Sequence, residues 1–441
     1  MTKLVALYKT FDGGEFVDAS LESIYNHCDQ IVMVHSDVSW LGERGNTVRS
    51  LAMEWCEEHD KENKAIHLDC ELKTQEGQYA LGVDYIDRHK IPFDAIMAVD
   101  ADEVWEDQYI ENAKRQIHDN HSPAYRSNMH TYLKNPFFQV DPPYGSPTVF
   151  FREPKHLTKS PRGCKAPAKH LSDVWMHHYT YVRETRADVE RKLKQSCLAD
   201  GNEVVVDGWM ENVYDNMPEG RDLHAFERWK RVWVRIKKIW KSDMPEAMRS
   251  ARLLKNWLPD GHLLDGEANE IHRLADGMNQ AVDLGTYKGY SASILALACR
   301  KVHTVDIYDD IGDSFADTLQ PDRYQGMQDH SLEATRALSA RYGNMTCEKN
   351  NTWLAADDWG QRSRDPVDFL FVDADHSEIA TRWNVACWLK HMRPGSRIVL
   401  HDNNDIHPGV QAVVREMESS KTYKKLDTVE YSGSLVAFEV A

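Results

Sequence analysis

The sequence predicts an α/β protein with two sheet-based units, over residues 1–222 and 259–441, joined by a helical linker over 223–258. Three observations predict it. Short apolar runs alternate with helix-length segments through both halves, the pattern of β-α-β crossovers around parallel sheets. Several of those runs stop abruptly at acids, at Val99-Asp100, Val305-Asp306 and Val372-Asp373, as buried strands do on reaching a sheet edge. The length of 441 residues exceeds one typical domain and predicts two or three.

Composition narrows the class. Hydrophobic residues make up 41% and charged residues 28%, ordinary for globular protein. Net charge is −17, which argues against nonspecific DNA or RNA binding, since phosphate contacts need a basic surface. No apolar run approaches the ~20 residues of a membrane span. Met1-Thr2-Lys3-Leu4-Val5 enters directly into a strand without a signal-peptide core, and the eight cysteines include no Cys-x-x-Cys. The expectation is a cytoplasmic protein with reduced thiols.

Leu4–Tyr8 reads as a strand, followed by the loop Lys9-Thr10-Phe11-Asp12-Gly13-Gly14-Glu15 and a helix over Val17–Cys28. Gln30–His35 is a second strand, ending at Ser36-Asp37. Strand, helix and strand with short loops predict a parallel pair with a right-handed crossover, and ligands bind at the carboxyl ends of such strands. Thr10, Glu15 and Asp37 fall there, although Asp37 reads equally well as a turn residue. A helix over Thr47–Glu58, a strand over Ala65–Leu68 and a helix over Gln78–His89 continue the alternation.

The next strand, Ile96–Val99, stops at Asp100-Ala101-Asp102-Glu103-Val104-Trp105. Burial disfavours the charged form of a carboxylate, and a divalent cation removes that cost. In extended chain Asp100 and Asp102 share a face, so both reach one hard ion, which in turn holds a diphosphate. The competing assignment is a capping cluster for the helix that follows. From Pro123 to Tyr181 the pattern turns to β with irregular loops, and Val174–Tyr179 is a strand carrying His177 and His178, of which alternation points one inward.

The α/β order, Asp-Ala-Asp-Glu-Val-Trp and the later histidine pair resemble the GT-A glycosyltransferases, particularly the family-2-like branch. The resemblance covers roughly the first half. It implies a sugar nucleotide as donor and a glycan or other acceptor. Mn²⁺ or Mg²⁺ would be held by Asp100 and Asp102 with His177 or His178, and Thr10, Glu15 and Asp37 would contact base and ribose.

After a helix over Arg186–Leu198, residues Phe226, Trp229, Trp233, Ile236 and Trp240 recur at helical spacing among Arg228, Lys230, Arg231, Lys237 and Lys238. They read as a linker helix packed between domains, or as a basic amphipathic helix making peripheral membrane contact. Met244–Trp257 continues helical, and Pro259-Asp260-Gly261 ends it.

In the second half, Ala281-Val282-Asp283-Leu284-Gly285-Thr286-Tyr287-Lys288-Gly289-Tyr290-Ser291 begins as a strand, turns on glycines and opens a helix through Arg300. The glycines let backbone approach a ligand, and the helix N-terminus offers amides. The strand Val302–Val305 ends at Asp306, about twenty residues past Gly285, placed to accept hydrogen bonds from ribose hydroxyls. Such a turn fits dinucleotides too, but the spacing Asp-x-Gly-x-x-x-Gly is not Gly-x-Gly-x-x-Gly. Strands Val367–Val372 and Arg397–Leu400 then deliver Asp373, Asp402 and Asn403, an all-oxygen set suited to Mg²⁺.

The glycine stretch resembles motif I of class I S-adenosylmethionine (SAM)-dependent methyltransferases, which are Rossmann-like, over roughly residues 259–441. The resemblance implies SAM over Asp283, Gly285, Thr286, Gly289 and Ser291, with Asp306 on its ribose. Asp373, Asp402 and Asn403 are similar to the Mg²⁺ or Mn²⁺ ligands of catechol-type O-methyltransferases and of related sugar and antibiotic tailoring enzymes. Where the catechol enzymes place a lysine base this chain has His376, with Asp375 and His401 as competitors. Val-Asp-Ala-Asp occurs at both Val99 and Val372, but the flanks differ and no internal repeat is read. The expectation is a bifunctional enzyme that transfers a sugar and O-methylates a sugar hydroxyl. Its rivals are a methyltransferase with a non-catalytic glycan-binding first domain and a carbohydrate-binding scaffold.

Overall fold

In the computed structural model the chain divides into two compact units, Met1–Ile239 with Asp243–Asn256, and Trp240–Ser242 with Trp257–Ala441. The structure describes residues 2–39, 41–44, 47–72, 74–153, 155, 164, 166–199, 205–215, 223–226, 232–240, 243–249, 258–259, 261–308, 332–362, 365–429 and 432–441.

The first unit opens with β1 (Leu4–Thr10), α1 (Val17–Tyr25), β2 (Gln30–Ser36), α2 (Thr47–His59), β3 (Ala65–Cys70), α3 (Gln75–Arg88) and β4 (Ala95–Asp100). β1 lies between β4 and β2 in parallel register, and β3 extends the parallel set beyond β2. Both faces are covered, so these strands read as continuous apolar runs; β1, β2 and β4 are buried almost throughout. Next come β5 (Glu103–Trp105), α4 (Asp107–Asp119), β6 (Ala124–Leu133), β7 (Phe138–Asp141), β8 (Thr148–Phe151), β9 (Ala168–Tyr181), α5 (Arg186–Ala199), β10 (Arg235–Lys238) and α6 (Glu246–Arg249). β8 pairs antiparallel with β4 and carries the sheet to β6 and β7, while β9 pairs with β5 and β6. The sheet is therefore mixed, with ten strands among the described residues.

Two expectations are corrected here. The acidic run does not cap a helix: α4 starts after Glu106, whose side chain makes no capping bond, and Glu103 to Trp105 pair as a strand instead. The linker helix is replaced, within the described residues, by β10, which pairs antiparallel with β7. Four residues satisfy their backbone groups more readily at an open sheet edge than in a single isolated helical turn. Trp233 and Ile239 are buried on either side of it while Arg235 and Lys237 stay exposed. Residues 227–231 and 250–257 of the expected helices, and Asp260 of the expected stop, lie outside the described residues.

The second unit holds α7 (Asp265–Ala275), β11 (Gln280–Leu284), α8 (Tyr290–Ala298), β12 (Lys301–Asp306), α9 (Leu332–Tyr342), β13 (Met345–Lys349) and α10 (Thr352–Arg362). β14 (Val367–Val372), α11 (Glu378–Leu389), β15 (Met392–Leu400), α12 (Pro408–Ser419), β16 (Tyr423–Lys425) and β17 (Val436–Val440) complete it. The seven strands run in the order β13-β12-β11-β14-β15-β17-β16. The first five are parallel, and β17 pairs antiparallel with both β15 and β16. The order reverses between β11 and β14, and a crevice for ligand opens at such a switch point, beyond the carboxyl ends.

The turn after β11 is tied to the end of β14. The Asp373 amide donates to Leu284 O at 2.9 Å, and Gly285 sits at φ +91°. A Cβ built on Gly285 would stand 2.0 Å from the Asp373 carbonyl oxygen. Gly285→Ala therefore combines backbone strain of about 1–3 kcal/mol with a backbone clash. A denaturant titration should show the second unit unfolding at clearly lower denaturant than in the wild type.

Candidate functional sites

In the first unit a cleft opens at the carboxyl ends of the parallel strands, lined by Lys9, Thr10, Asp12, Asp100, Asp102 and Lys192 among others. The two acids expected to share an ion are divided. Residues 101–102 form a turn between β4 and β5 rather than extended chain, so the shared face is lost. Asp100 pairs with Lys9 Nζ at 2.5 Å. Asp102 is buried, with Oδ2 2.5 Å from Arg183 and 3.7 Å from Lys192, and Oδ1 3.6 Å from His178 Nε2. Burial pushes the Asp102 carboxyl up, but Lys192, Arg183 and His178 outweigh it and hold the group well below the usual carboxylate range.

The histidine pair separates by strand alternation. His177 turns to Tyr132 Oη at 2.7 Å and Glu106 Oε1 at 3.0 Å, while His178 faces the acids. Ligand atoms of Asp100, Glu103 and His178 lie within 4.8 Å of one another, a donor set that fits a divalent cation. Glu103 was not among the expected ligands, because in extended chain it points to the face opposite Asp100 and Asp102. Thr10 lines the cleft with Oγ1 2.7 Å from His35 Nδ1. Glu15 accepts the Glu184 amide at 3.2 Å, and Asp37 is exposed at the β2 end; neither lines the cleft.

In the second unit Gly289, at φ +86°, caps the N-terminus of α8, and a Cβ there would meet Leu338 at 2.5 Å. Asp283 is fully buried beneath the turn, where it takes the hydroxyls of Ser291 and Thr304; Thr286 bonds Thr304 as well. Burial, with Asp373 and Asp306 adding to it, pushes Asp283 up to about 7. Asp306 accepts the Tyr287 amide at 2.8 Å and the Tyr308 amide at 2.9 Å, which joins the glycine turn to the end of β12.

The ends of β14 and β15 bring Asp373 and Asp402 into one cluster with three imidazoles. His376 Nε2 lies 3.3 Å from Asp373 and 3.1 Å from Asp402. His401 Nδ1 lies 3.1 and 3.6 Å from the same two acids, and His407 Nε2 3.6 Å from Asp402. Burial would lower both His376 and His401, but the carboxylates outweigh it and raise them to about 9 and about 10. Asp402 falls to about 2, because His376, His401 and His407 outweigh its burial. Imidazole nitrogens of His376 and His401 thus lie close to both acids of the expected oxygen set, and the Asn403 backbone amide donates to Ser434 O at 3.0 Å. Asp375 caps the next turn by accepting the Ser377 amide at 2.7 Å.

Residues 282–403 match a family model described as a methyltransferase domain. This part of the chain is a methyltransferase domain. Among solved structures, an rRNA methylase from Streptococcus thermophilus is similar at 14% identity over 41% of this chain and 98% of that one, with a TM-score of 0.28. A calicheamicin methyltransferase is similar at 12% over 39% and 76%, with a TM-score of 0.31. An N-methyltransferase from Bradyrhizobium japonicum is similar at 13% over 39% and 93%, with a TM-score of 0.27.

The glycine turn, Asp306, Asp373, His376, His401 and Asp402 all fall inside the methyltransferase match, and His407 and the first unit fall outside it. Two residues near the cluster gave no sequence signal. His407 stands in the loop before α12, and Glu267 comes from α7, far away in sequence. Only the fold brings them in.

The Asp102–Arg183 pair yields a stability prediction. A carboxyl whose folded pKa is depressed contributes stability above its unfolded pKa of about 3.9, and loses it as pH falls through and below that value. Arg183→Met should cost about 3–5 kcal/mol at neutral pH by leaving a buried charge without its main partner. Unfolding free energies measured from pH 7 down to 3 should fall less steeply in the variant than in the wild type.

Proposed function

We propose that this protein is a bifunctional transferase, in which a SAM- and metal-dependent O-methyltransferase acts on a sugar hydroxyl and the first unit transfers a sugar from a sugar nucleotide. The observation that carries the methyl-transfer half is the contact of Gly285 with the Asp373 backbone. It puts the carboxylate–imidazole cluster directly beside the glycine turn, so a methyl donor on the turn and a hydroxyl on the cluster would meet.

Each residue then has work to do. The turn at Gly285 and Gly289 and the amides at the start of α8 receive the methyl donor, with Asp306 placed for its ribose. Asp373 and Asp402 would hold a divalent ion, which supplies Lewis acidity that makes a hydroxyl easier to deprotonate. His376 Nε2 accepts the proton that leaves the hydroxyl. With both carboxylates uncommitted His376 is itself protonated, so it becomes a base only once they are engaged elsewhere. The oxygen forms its bond to the methyl carbon as the carbon–sulfur bond breaks.

The first-unit reading rests on the cleft beyond the parallel strands, where Lys9 and Lys192 offer ammonium groups to phosphate, and on the convergence of Asp100 at its edge with Glu103 and His178. Domains joined in one chain suit two reactions on one glycan.

Calorimetry on the full chain should show SAM binding that Asp306→Ala weakens by about 1.5–3 kcal/mol, the range for a lost charged hydrogen bond. Chelator should abolish methyl transfer, and Mg²⁺ or Mn²⁺ should restore it. Asp373→Asn should do the same irreversibly. Methylation that continues in metal-stripped protein overturns the metal-dependent reading.

A panel of sugar nucleotides tests the other half. Hydrolysis or transfer of one of them should fall at least about tenfold in Asp100→Asn, as loss of a metal-site group does, with SAM binding intact. If no sugar nucleotide is consumed while methylation proceeds, the first unit serves as a glycan-binding domain.

A further inference from the structure

The two imidazoles that contact both Asp373 and Asp402 are held differently. His376 reaches the two acids through one nitrogen, Nε2, and its side chain is 29% exposed. His401 is 11% exposed and fixed on every side. Its amide donates to Val372 O at 3.2 Å, its Nδ1 points at the two acids, and its Nε2 lies 3.3 Å from Glu267 Oε2. Glu267 is itself anchored. Its Oε2 accepts the Leu264 amide at 2.9 Å, and its Oε1 accepts the Ser434 amide at 2.9 Å and the Ser434 hydroxyl at 3.2 Å. Gly433 makes room for it, since a Cβ there would stand 2.3 Å from Oε1.

We propose that His401 is a metal ligand, completing a mixed nitrogen–oxygen site with Asp373 and Asp402, and that Glu267 is its positioning residue. An imidazole bound by a carboxylate at its outer nitrogen has its tautomer and ring angle fixed, so the inner nitrogen presents a lone pair to an ion. Ligand atoms of Asp373, His401 and Asp402 already lie within 4.8 Å of one another. Imidazole among carboxylates suits a transition ion. His376 stays outside the ligand set, where its greater exposure leaves it to meet the acceptor hydroxyl. This rests on the metal-dependent reading above and says which residues make the site.

The probe is Mn²⁺ added to the full-length, metal-stripped protein, with affinity followed by electron paramagnetic resonance and directly bound nitrogen by pulsed resonance. Wild type should show ¹⁴N coupling, and His401→Gln should lose it. Glu267→Gln should bind Mn²⁺ about 10–100-fold more weakly, the usual effect of removing such a partner, while calorimetric SAM affinity stays unchanged and reports an intact fold. Should Glu267→Gln not fold, His401→Gln carries the test by itself. Coupling that persists in His401→Gln, or its absence in Mn²⁺-loaded wild type, overturns the assignment and leaves metal dependence standing. Wild type that binds no Mn²⁺ overturns both.

Discussion

One close approach of backbone to backbone organises the second unit. The turn after β11 lies against the end of β14 so tightly that the position opposite Asp373 has no room for a side chain. The Leu284–Asp373 hydrogen bond fixes this register from the other side. Because β11 and β14 flank the reversal in strand order, the contact stands where ligands enter open α/β sheets. A turn built to approach a ligand and a strand end that supplies acids thus become neighbours, though their residues are nearly ninety positions apart. Asp306 extends the arrangement by accepting an amide from the turn itself.

The two units treat buried acid differently. In the first, Asp102 is held by an arginine that is fully buried with it, and Arg183 also donates to the carbonyls of Tyr179 and Val182. A guanidinium stays charged at all working pH values, so this pair is a permanent strut between the β4–β5 turn and the end of β9. In the second, Asp373 and Asp402 are balanced by imidazoles, whose charge is exchangeable. The first pair is fixed in charge; the second cluster can exchange protons with its surroundings.

Much of this was legible in the sequence because it depends on local rules. Strand–helix alternation, the glycine turn and the acids ending β4, β12 and β14 were all in place as read. The missed features have particular causes. Asp100 and Asp102 were expected to share a face, but alternation holds only in extended chain and residues 101–102 turn. The spacing of Trp233, Ile236 and Trp240 matched a helix, yet an open edge on β7 offered better backbone partners, and Arg235–Lys238 became a strand. The oxygen set around Asp373 and Asp402 was read without the imidazoles, yet the fold brings His376, His401 and His407 against those acids.

What the sequence by itself determined is the class of each unit and the chemical character of each strand end, since apolar runs, glycines and terminal acids act through their immediate neighbours. What only the tertiary structure decided is which charges compensate which. Arg183 reaching Asp102, and Glu267 reaching His401 from α7, are pairings across 81 and 134 residues. No periodicity encodes such a pairing. It follows from the packing of whole elements, because an ionised side chain taken out of water must find its partner wherever the fold has brought one within reach.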